Sequence, residues 1–306
     1  MRTNLILLLI IGIWCEDLVT KEGADKIRAA GATWEIDDPD ASIFKGVSME
    51  EFATRLQSSW PENSTLPELE IEFGQEDENS TEGSNSTRLL QSIKLPINFD
   101  GRKEWGKCIH SGGDQKKCSG CWAFGVINHL SDRFCIKGWD VKLSVQDLLE
   151  CTPGNKCCEG GSAEYAYKYI MSVGVVDEIC KPFDAKCKEC RPKSCARYKC
   201  AKNSAWVTSN PQKVKMEIYT NGPVTAIYNV YEDFVYYRGG IYQRTYGKKI
   251  GAHSVTLVGW GYANGMEYWI CKNSWGDKWG LNGFFYIKSG EVEINTYITS
   301  CKPTLT

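Results

Sequence analysis

Gln115-Lys116-Lys117-Cys118-Ser119-Gly120-Cys121-Trp122-Ala123-Phe124 places a cysteine where an irregular segment gives way to an apolar helix. The helix predicted from Cys121 to about Lys137 is apolar on most sides (Trp122, Phe124, Val126, Ile127, Leu130, Phe134), and Gly138 can cap its end. An all-round apolar helix belongs inside a domain. A thiol at its N-terminus stands in a positive field that favours the thiolate, the form that attacks carbonyl carbon. Gln115, six residues upstream, offers a side-chain donor near the same place. A reactive cysteine is expected here, and the rest of the chain decides its use.

The 306 residues allow one large domain or two smaller ones with a well-buried core. A net charge of −2 hides two opposed parts. Residues 16–94 hold 7 Lys and Arg against 18 Asp and Glu, a net of −11, whereas residues 95–306 hold 28 against 20, a net of +8. Such a division suggests an acidic segment lying on, or released from, a basic domain. No clustered basic stripe supports nucleic-acid binding. Fifteen cysteines point to an oxidising compartment. Arg2, the apolar run Leu5–Trp14 and the charged residues from Glu16 read as a secretory signal over residues 1–15, too short to span a bilayer. No later stretch has the length of a membrane anchor.

Within the acidic part, helical tendency appears at Asp25–Ala30 and Ser48–Leu56, the latter opened by Ser48 with Glu51 three residues on. From Pro61 the chain loses apolar periodicity, and residues 61–88 read as an exposed linker. It carries the glycosylation sequons at Asn63, Asn79 and Asn85. Order resumes at Leu95–Asp100. Helices are predicted at Val145–Glu150 and Ala163–Ser172, and the cysteines from Cys151 to Cys200 sit on loop-like spacers held by crosslinks. From Gly222-Pro223-Val224 the pattern turns to strands: Thr225–Val230, Ser254–Gly259, Tyr268–Cys271 and Gly283–Ile287. Helices first and strands later predict an α+β fold with two lobes.

Of the three histidines, His129 falls inside the buried helix and reads as a packed imidazole, and His110 sits in a Gly/Ser loop. His253 opens Ala252-His253-Ser254-Val255-Thr256-Leu257, and Tyr268-Trp269-Ile270-Cys271-Lys272-Asn273-Ser274-Trp275-Gly276 follows. With these residues the chain resembles the papain-like cysteine peptidases, and among them the cathepsin B-like group. That family's own signature sets a His and an Asn about 130–150 residues beyond its cysteine. Here His253 lies 132 and Asn273 152 residues after Cys121. Ser131-Asp132-Arg133-Phe134-Cys135-Ile136, Asn221-Gly222-Pro223-Val224, Val230-Tyr231-Glu232-Asp233-Phe234 and Gly240-Ile241-Tyr242 add the cathepsin B-like detail. The likeness covers roughly residues 95–290, and Thr33–Leu56 is similar to a propeptide of that group.

The resemblance implies a papain-like two-lobed fold with a helical left lobe (about 104–203), an antiparallel β-barrel right lobe (about 204–306) and an active-site cleft between them. Residues 16–94 become an inhibitory propeptide crossing the cleft in reverse, cut near Ser92–Leu95. It implies Cys121 as nucleophile, His253 as general base and then acid, Asn273 as the group orienting the imidazole, and Gln115 as an oxyanion donor. Trp275 would cover the His–Asn bond, while Gly160, Gly161 and Ala252 would line the substrate. The implied disulfides are Cys108–Cys135 and Cys118–Cys158; the pairing of Cys151, Cys157, Cys180, Cys187, Cys190, Cys195 and Cys200 stays open, and Cys271 is expected as a free thiol. The implied partners are peptide and protein substrates, the propeptide, and cystatin-like or epoxysuccinyl inhibitors, with no cofactor or metal. A monomer in a lysosome-like or vacuolar compartment, or outside the cell, is expected.

Four features depart from the family. Ser119-Gly120 inverts the usual Gly-Ser before the nucleophile, which raises the rival reading of a catalytically impaired binding protein. The Cys180–Cys200 stretch is short and holds no histidine, so endopeptidase action is expected without efficient removal of C-terminal dipeptides. The place of an acidic residue at the base of the S2 pocket falls to Asn295 or Tyr297, which predicts apolar preference at P2. Ser162-Ala163 replaces an aromatic-proline step and should widen the S2 entrance.

Overall fold

The computed structural model describes residues 17–61, 63–71, 94–191 and 194–304. The expected signal peptide, Asn79, Asn85 and the junction up to Ile93 lie outside them. Among the described residues no helix is long and apolar enough to cross a membrane.

The N-terminal segment folds first into two short helices. The first, α1 (Lys21–Ala29), begins earlier than predicted because the Thr20 hydroxyl accepts the Gly23 N–H as its cap. The second, α2 (Met49–Ala53), is capped by Ser48, whose hydroxyl accepts the Glu51 N–H. It stops well short of Leu56, since the chain beyond it is drawn out by hydrogen bonds to Ala252 and Gly161. Strand β1 (Glu35–Ile36) pairs with β6 (Tyr237–Gly239).

The main domain runs β2 (Phe99–Asp100), α3 (Gly101–Glu104), α4 (Cys121–Ile136), α5 (Val145–Cys151), α6 (Ala163–Ser172), β3 (Lys199–Cys200), β4 (Trp206–Thr208), α7 (Pro211–Asn221) and β5 (Val224–Tyr231). After β6 come β7 (Ile241–Tyr242), β8 (Lys249–Ala263), β9 (Met266–Lys272), β10 (Phe284–Lys288), β11 (Ile298–Ser300) and β12 (Pro303–Thr304). The main sheet has the order β4-β11-β5-β8-β9-β10-β7, with β2 also on β8. It is antiparallel except for β7 on β10, and among the described residues β4 and β7 do not pair, so the barrel is open there.

Two main apolar clusters correspond to the two lobes. One gathers α4, α5 and α6 through Trp122, Val126, Leu130, Leu148, Ala166 and Ile170. The other is built on the strands and on α7, and the N-terminal segment adds Ile27, Trp34, Phe44 and Phe52 to it. The lobes interleave at their ends, unlike the simple boundary near residue 204. Phe99 joins the strand-side core, while Cys301 returns to the helical one through its disulfide to Cys200.

Residues 63–71 correct the expectation of a free linker. Leu66 and Leu69 are buried, the Leu69 N–H donates to Val207 O of β4, and the Val207 N–H donates to Pro67 O. Composition under-reported the segment because backbone pairing needs few apolar residues. Asn63 is exposed.

Candidate active site

Gly120 caps α4 at φ −93° without a side-chain bond, which leaves the first N–H groups of the helix free. The backbone N–H groups of Ser254, Trp122 and Cys121 oppose the upward push of burial on the Cys121 thiol. Close seating of α4 on β8 requires Gly125, where an added Cβ would lie 2.4 Å from Ser254 Oγ.

His253 sits within β8, opposite Tyr228 of β5. Its Nε2 lies 2.7 Å from Asn273 Oδ1, which assigns the ring proton to Nε2. Nδ1 is buried and has no hydrogen-bond partner. Asn273 follows β9 and is anchored by its N–H to Gly283 O at 2.9 Å. The Trp275 ring lies 4.8 Å from the imidazole, tilted by 30°, and closes this bond off from water.

Gln115 is held at both ends of its amide. Its Oε1 accepts from Ser274 Oγ at 2.8 Å, and its Nε2 donates to Cys118 O and to Arg55 O, both at 3.0 Å. Arg55 belongs to the N-terminal segment. Of the sequence-predicted residues, His253, Asn273 and Trp275 are thus brought together, and Gln115 is tied to Ser274 beside Asn273; Ser274 is a support that sequence reasoning had not singled out.

The same segment covers the site. Ser58 Oγ is 3.1 Å from Cys121 Sγ. Gly161 N–H donates to Gln57 O and Ser59 N–H to Gly161 O; Ser58 N–H donates to Ala252 O and Ala252 N–H to Leu56 O. Both bridges are parallel. Gly160, at φ +109°, is required by the approach of the segment: a Cβ there would lie 2.5 Å from Gln57 O. Gly160, Gly161 and Ala252 therefore form a backbone-reading wall already occupied by this chain.

Burial under that cover sets the electrostatics. It pushes the Cys121 thiol up, with the Ser58 hydroxyl opposing, and pushes the His253 imidazole down to about 4, with the Asn273 bond opposing. The covered pair is held neutral.

Trp60 fills an apolar pocket of Ile227, Ala252 and Tyr297. Of the two residues named for its base, Tyr297 is the one present, because Asn295 is turned away to Trp269 Nε1 and Ser289. A carboxylate missed in the sequence stands nearby: Glu164, on the first turn of α6, accepts the Thr65 N–H and the Ser64 and Thr65 hydroxyls and pairs with Lys168. Its place three residues beyond Gly161 was the available signal.

Ser119 is buried at ordinary negative φ, and its hydroxyl accepts the Gln57 N–H at 3.1 Å. No left-handed backbone demands glycine there. His129 is buried and bonded at Nδ1 to Thr225 Oγ1, a structural role. His110 bridges Asp132 and Asp140. Cys108–Cys135 and Cys118–Cys158 are both formed; the open cysteines pair as Cys151–Cys190, Cys157–Cys187, Cys180–Cys195 and Cys200–Cys301. Cys271 and Cys121 are the free cysteines among the described residues.

Residues 95–302 match the family described as papain family cysteine protease. A gut-specific cysteine proteinase of Caenorhabditis elegans is 38% identical over 230 residues, covering 64% of this chain and 70% of the relative. Cathepsin B of Dictyostelium discoideum is 33% identical over 235 residues, covering 69% and 76%. The solved structure of proCathepsin B S9 from Trypanosoma congolense superposes with a TM-score of 0.82 at 25% identity, covering 95% of this chain and all of that one. The chain belongs to the papain family of cysteine proteases and is a cathepsin B-like member of it.

Proposed function

We propose that this chain is the zymogen of a cysteine endopeptidase that cleaves peptide bonds through a Cys121 thioester. Cys121 attacks the scissile carbonyl, His253 Nδ1 takes the thiol proton and returns it to the leaving amine, and Asn273 holds the ring through Nε2. The Gln115 amide and the Cys121 N–H stabilise the oxyanion, each such donor being worth about 3–4 kcal/mol in comparable sites. Water loss explains latency: once the segment leaves, the desolvation that holds the pair neutral is lifted and the thiolate–imidazolium pair can form.

The observation that carries this reading is the parallel run of residues 56–59 between Gly161 and Ala252, with Ser58 on the thiol. Substrate would use the same backbone groups in the opposite direction, where the chain is cut. Apolar P2 residues are favoured by Ile227, Ala252 and Tyr297. Endopeptidase action rests on the absence of histidine between Cys180 and Cys200. Six disulfides support folding in the secretory pathway, with an acidic lysosome-like or vacuolar compartment, or the exterior, as destination. The enzyme acts as a monomer, cystatin-like and epoxysuccinyl inhibitors enter the same cleft, and Asn63, Asn79 and Asn85 carry glycans.

The test is covalent labelling of the acid-processed chain with an epoxysuccinyl probe at pH 5–6. Modification of Cys121 with loss of peptide hydrolysis is expected, and the uncut chain should resist. A processed chain that neither labels nor hydrolyses peptides would leave only the binding-protein reading.

A further inference from the structure

β4 is an end strand of the main sheet, joined to β11 on one side only within the strand order. On its other side lies the N-terminal segment. Leu69 N–H donates to Val207 O at 2.8 Å and Val207 N–H to Pro67 O at 2.9 Å, a parallel bridge centred on Glu68 and Val207. Side chains fix the register. Thr208 Oγ1 donates to Glu68 Oε1 at 2.6 Å, and Lys213 Nζ reaches Leu69 O at 2.6 Å and Glu68 Oε1 at 3.6 Å. Leu69 is buried with the strand-side core, and Ile71 packs against it. Lys202 and Lys302, both exposed, line the groove alongside Glu68 and Glu70.

The Val207 side chain packs on the Ile227, Ala252 and Tyr297 pocket, but its outward N–H and C=O lie along the β4 edge and away from His253. β8, which carries His253, is three strands away in the sheet, about 14 Å at ordinary strand spacing. Removing residues 16–94 in maturation would strip Val207 of both outward backbone partners and uncover an apolar seat for Leu69. An edge with unpaired N–H and C=O groups, flanked by lysines, is a template for another extended chain.

We propose that the β4 edge is a second peptide-binding site of the processed enzyme, an exosite for extended segments of protein substrates. Its ligand alternates acidic and apolar residues in the manner of Glu68-Leu69-Glu70-Ile71. The backbone of Val207 supplies affinity by strand addition; Lys213 and Thr208 read the acidic residue, and the Leu69 seat reads the apolar one. Short peptides filling only the cleft do not feel it. The substrate assignment rests on the peptidase reading above, whereas the binding itself does not.

The experiment uses enzyme processed from the full chain, with Cys121 alkylated by a cleft-filling inhibitor. The probe is the end-blocked, fluorescent hexapeptide Leu66–Ile71, followed by anisotropy. Saturable binding is expected with the cleft blocked. It should weaken about tenfold in Lys213→Glu, as loss of charge-assisted bonds demands, and recover when the Lys213→Glu enzyme meets a Glu68→Lys peptide. Unfolding of the processed Lys213→Glu enzyme, which lacks Glu68 and Leu69, at the temperature of processed wild type certifies its fold. In active enzyme, appending the hexapeptide to a protein substrate should lower KM several-fold and leave kcat unchanged. No saturable binding, binding indifferent to Lys213→Glu, or an unchanged KM overturns the exosite. Binding that persists in a chain with no peptidase activity would remove the peptidase reading and the substrate assignment together, and leave the peptide site standing.

Discussion

Ser58 Oγ lies 3.1 Å from Cys121 Sγ, and three residues earlier the Arg55 carbonyl takes the Gln115 amide at 3.0 Å. One short stretch therefore engages both the nucleophile and the donor that would meet the oxyanion. Ser58 is 6% exposed, which leaves no room for a long side chain. We expect Ser58→Arg to lift this stretch from the thiol, so that a thiol-directed probe labels the uncut chain at a rate approaching that of processed enzyme. Unchanged resistance to labelling would show that Ser58 contributes nothing to latency.

The His253 imidazole gives the closed zymogen a defined pH response. Its value near 4 in the covered site lies below the ordinary histidine value. Between those values the opened state binds more protons than the closed one, so stability of the closed state falls as pH drops from about 6.5 towards 4. The full linkage amounts to about 3 kcal/mol. The thermal midpoint of the Cys121→Ser chain should fall across this window, and the fall should be shallower in the Cys121→Ser, His253→Asn double variant.

Glu164 adds a carboxylate to the same response. Despite the cost of burial, its hydrogen bonds from Thr65 and Ser64 and its ion pair with Lys168 hold its pKa below the ordinary glutamate value. A depressed carboxylate stabilises the closed form above its ordinary pKa and loses that contribution as pH falls through the lowered one. Glu164→Gln should weaken inhibition by the separated 16–94 peptide roughly fivefold at neutral pH and little at pH 4, measured as its inhibition constant. Equal inhibition of both enzymes at neutral pH would contradict this.

Arg133 explains why two separated sequence motifs occur together. From α4 its guanidinium donates to the carbonyls of Pro223 at 2.7 Å and of Gly222 and Cys301 at 3.1 Å, and it pairs with Glu217 at 2.8 Å; both ions are buried. It ties the helical lobe to the turn before β5. Arg133→Met leaves Glu217 as an unpaired buried charge and should cost about 3–5 kcal/mol by denaturant titration. Arg133→Lys should recover only part of this, because an ammonium cannot serve carbonyls along a planar fork.

What the residues alone determined was the family, the fold class and the order of the candidate site residues along the chain. Cys121 at the start of an apolar helix, His253 in a strand and Asn273 beyond the next strand are each tied to local patterns, and local pattern survives without a fold. The same holds for the Ser48 cap, the buried His129 and the free Cys271. Tertiary structure decided what depends on contact between distant segments. The pairing of Cys200 with Cys301 closes a separation of 101 residues that no spacer reveals. Tyr297 rather than Asn295 reaches the apolar pocket because Asn295 is spent on Trp269 Nε1 and Ser289. Residues 67–69 bridge to β4 because its Val207 presented unpaired backbone groups, which side-chain composition does not record. The proposed latency follows the same logic: the burial of Cys121 and His253, with Ser58 on the thiol, is a desolvation that exists only when the N-terminal segment lies against residues far along the chain.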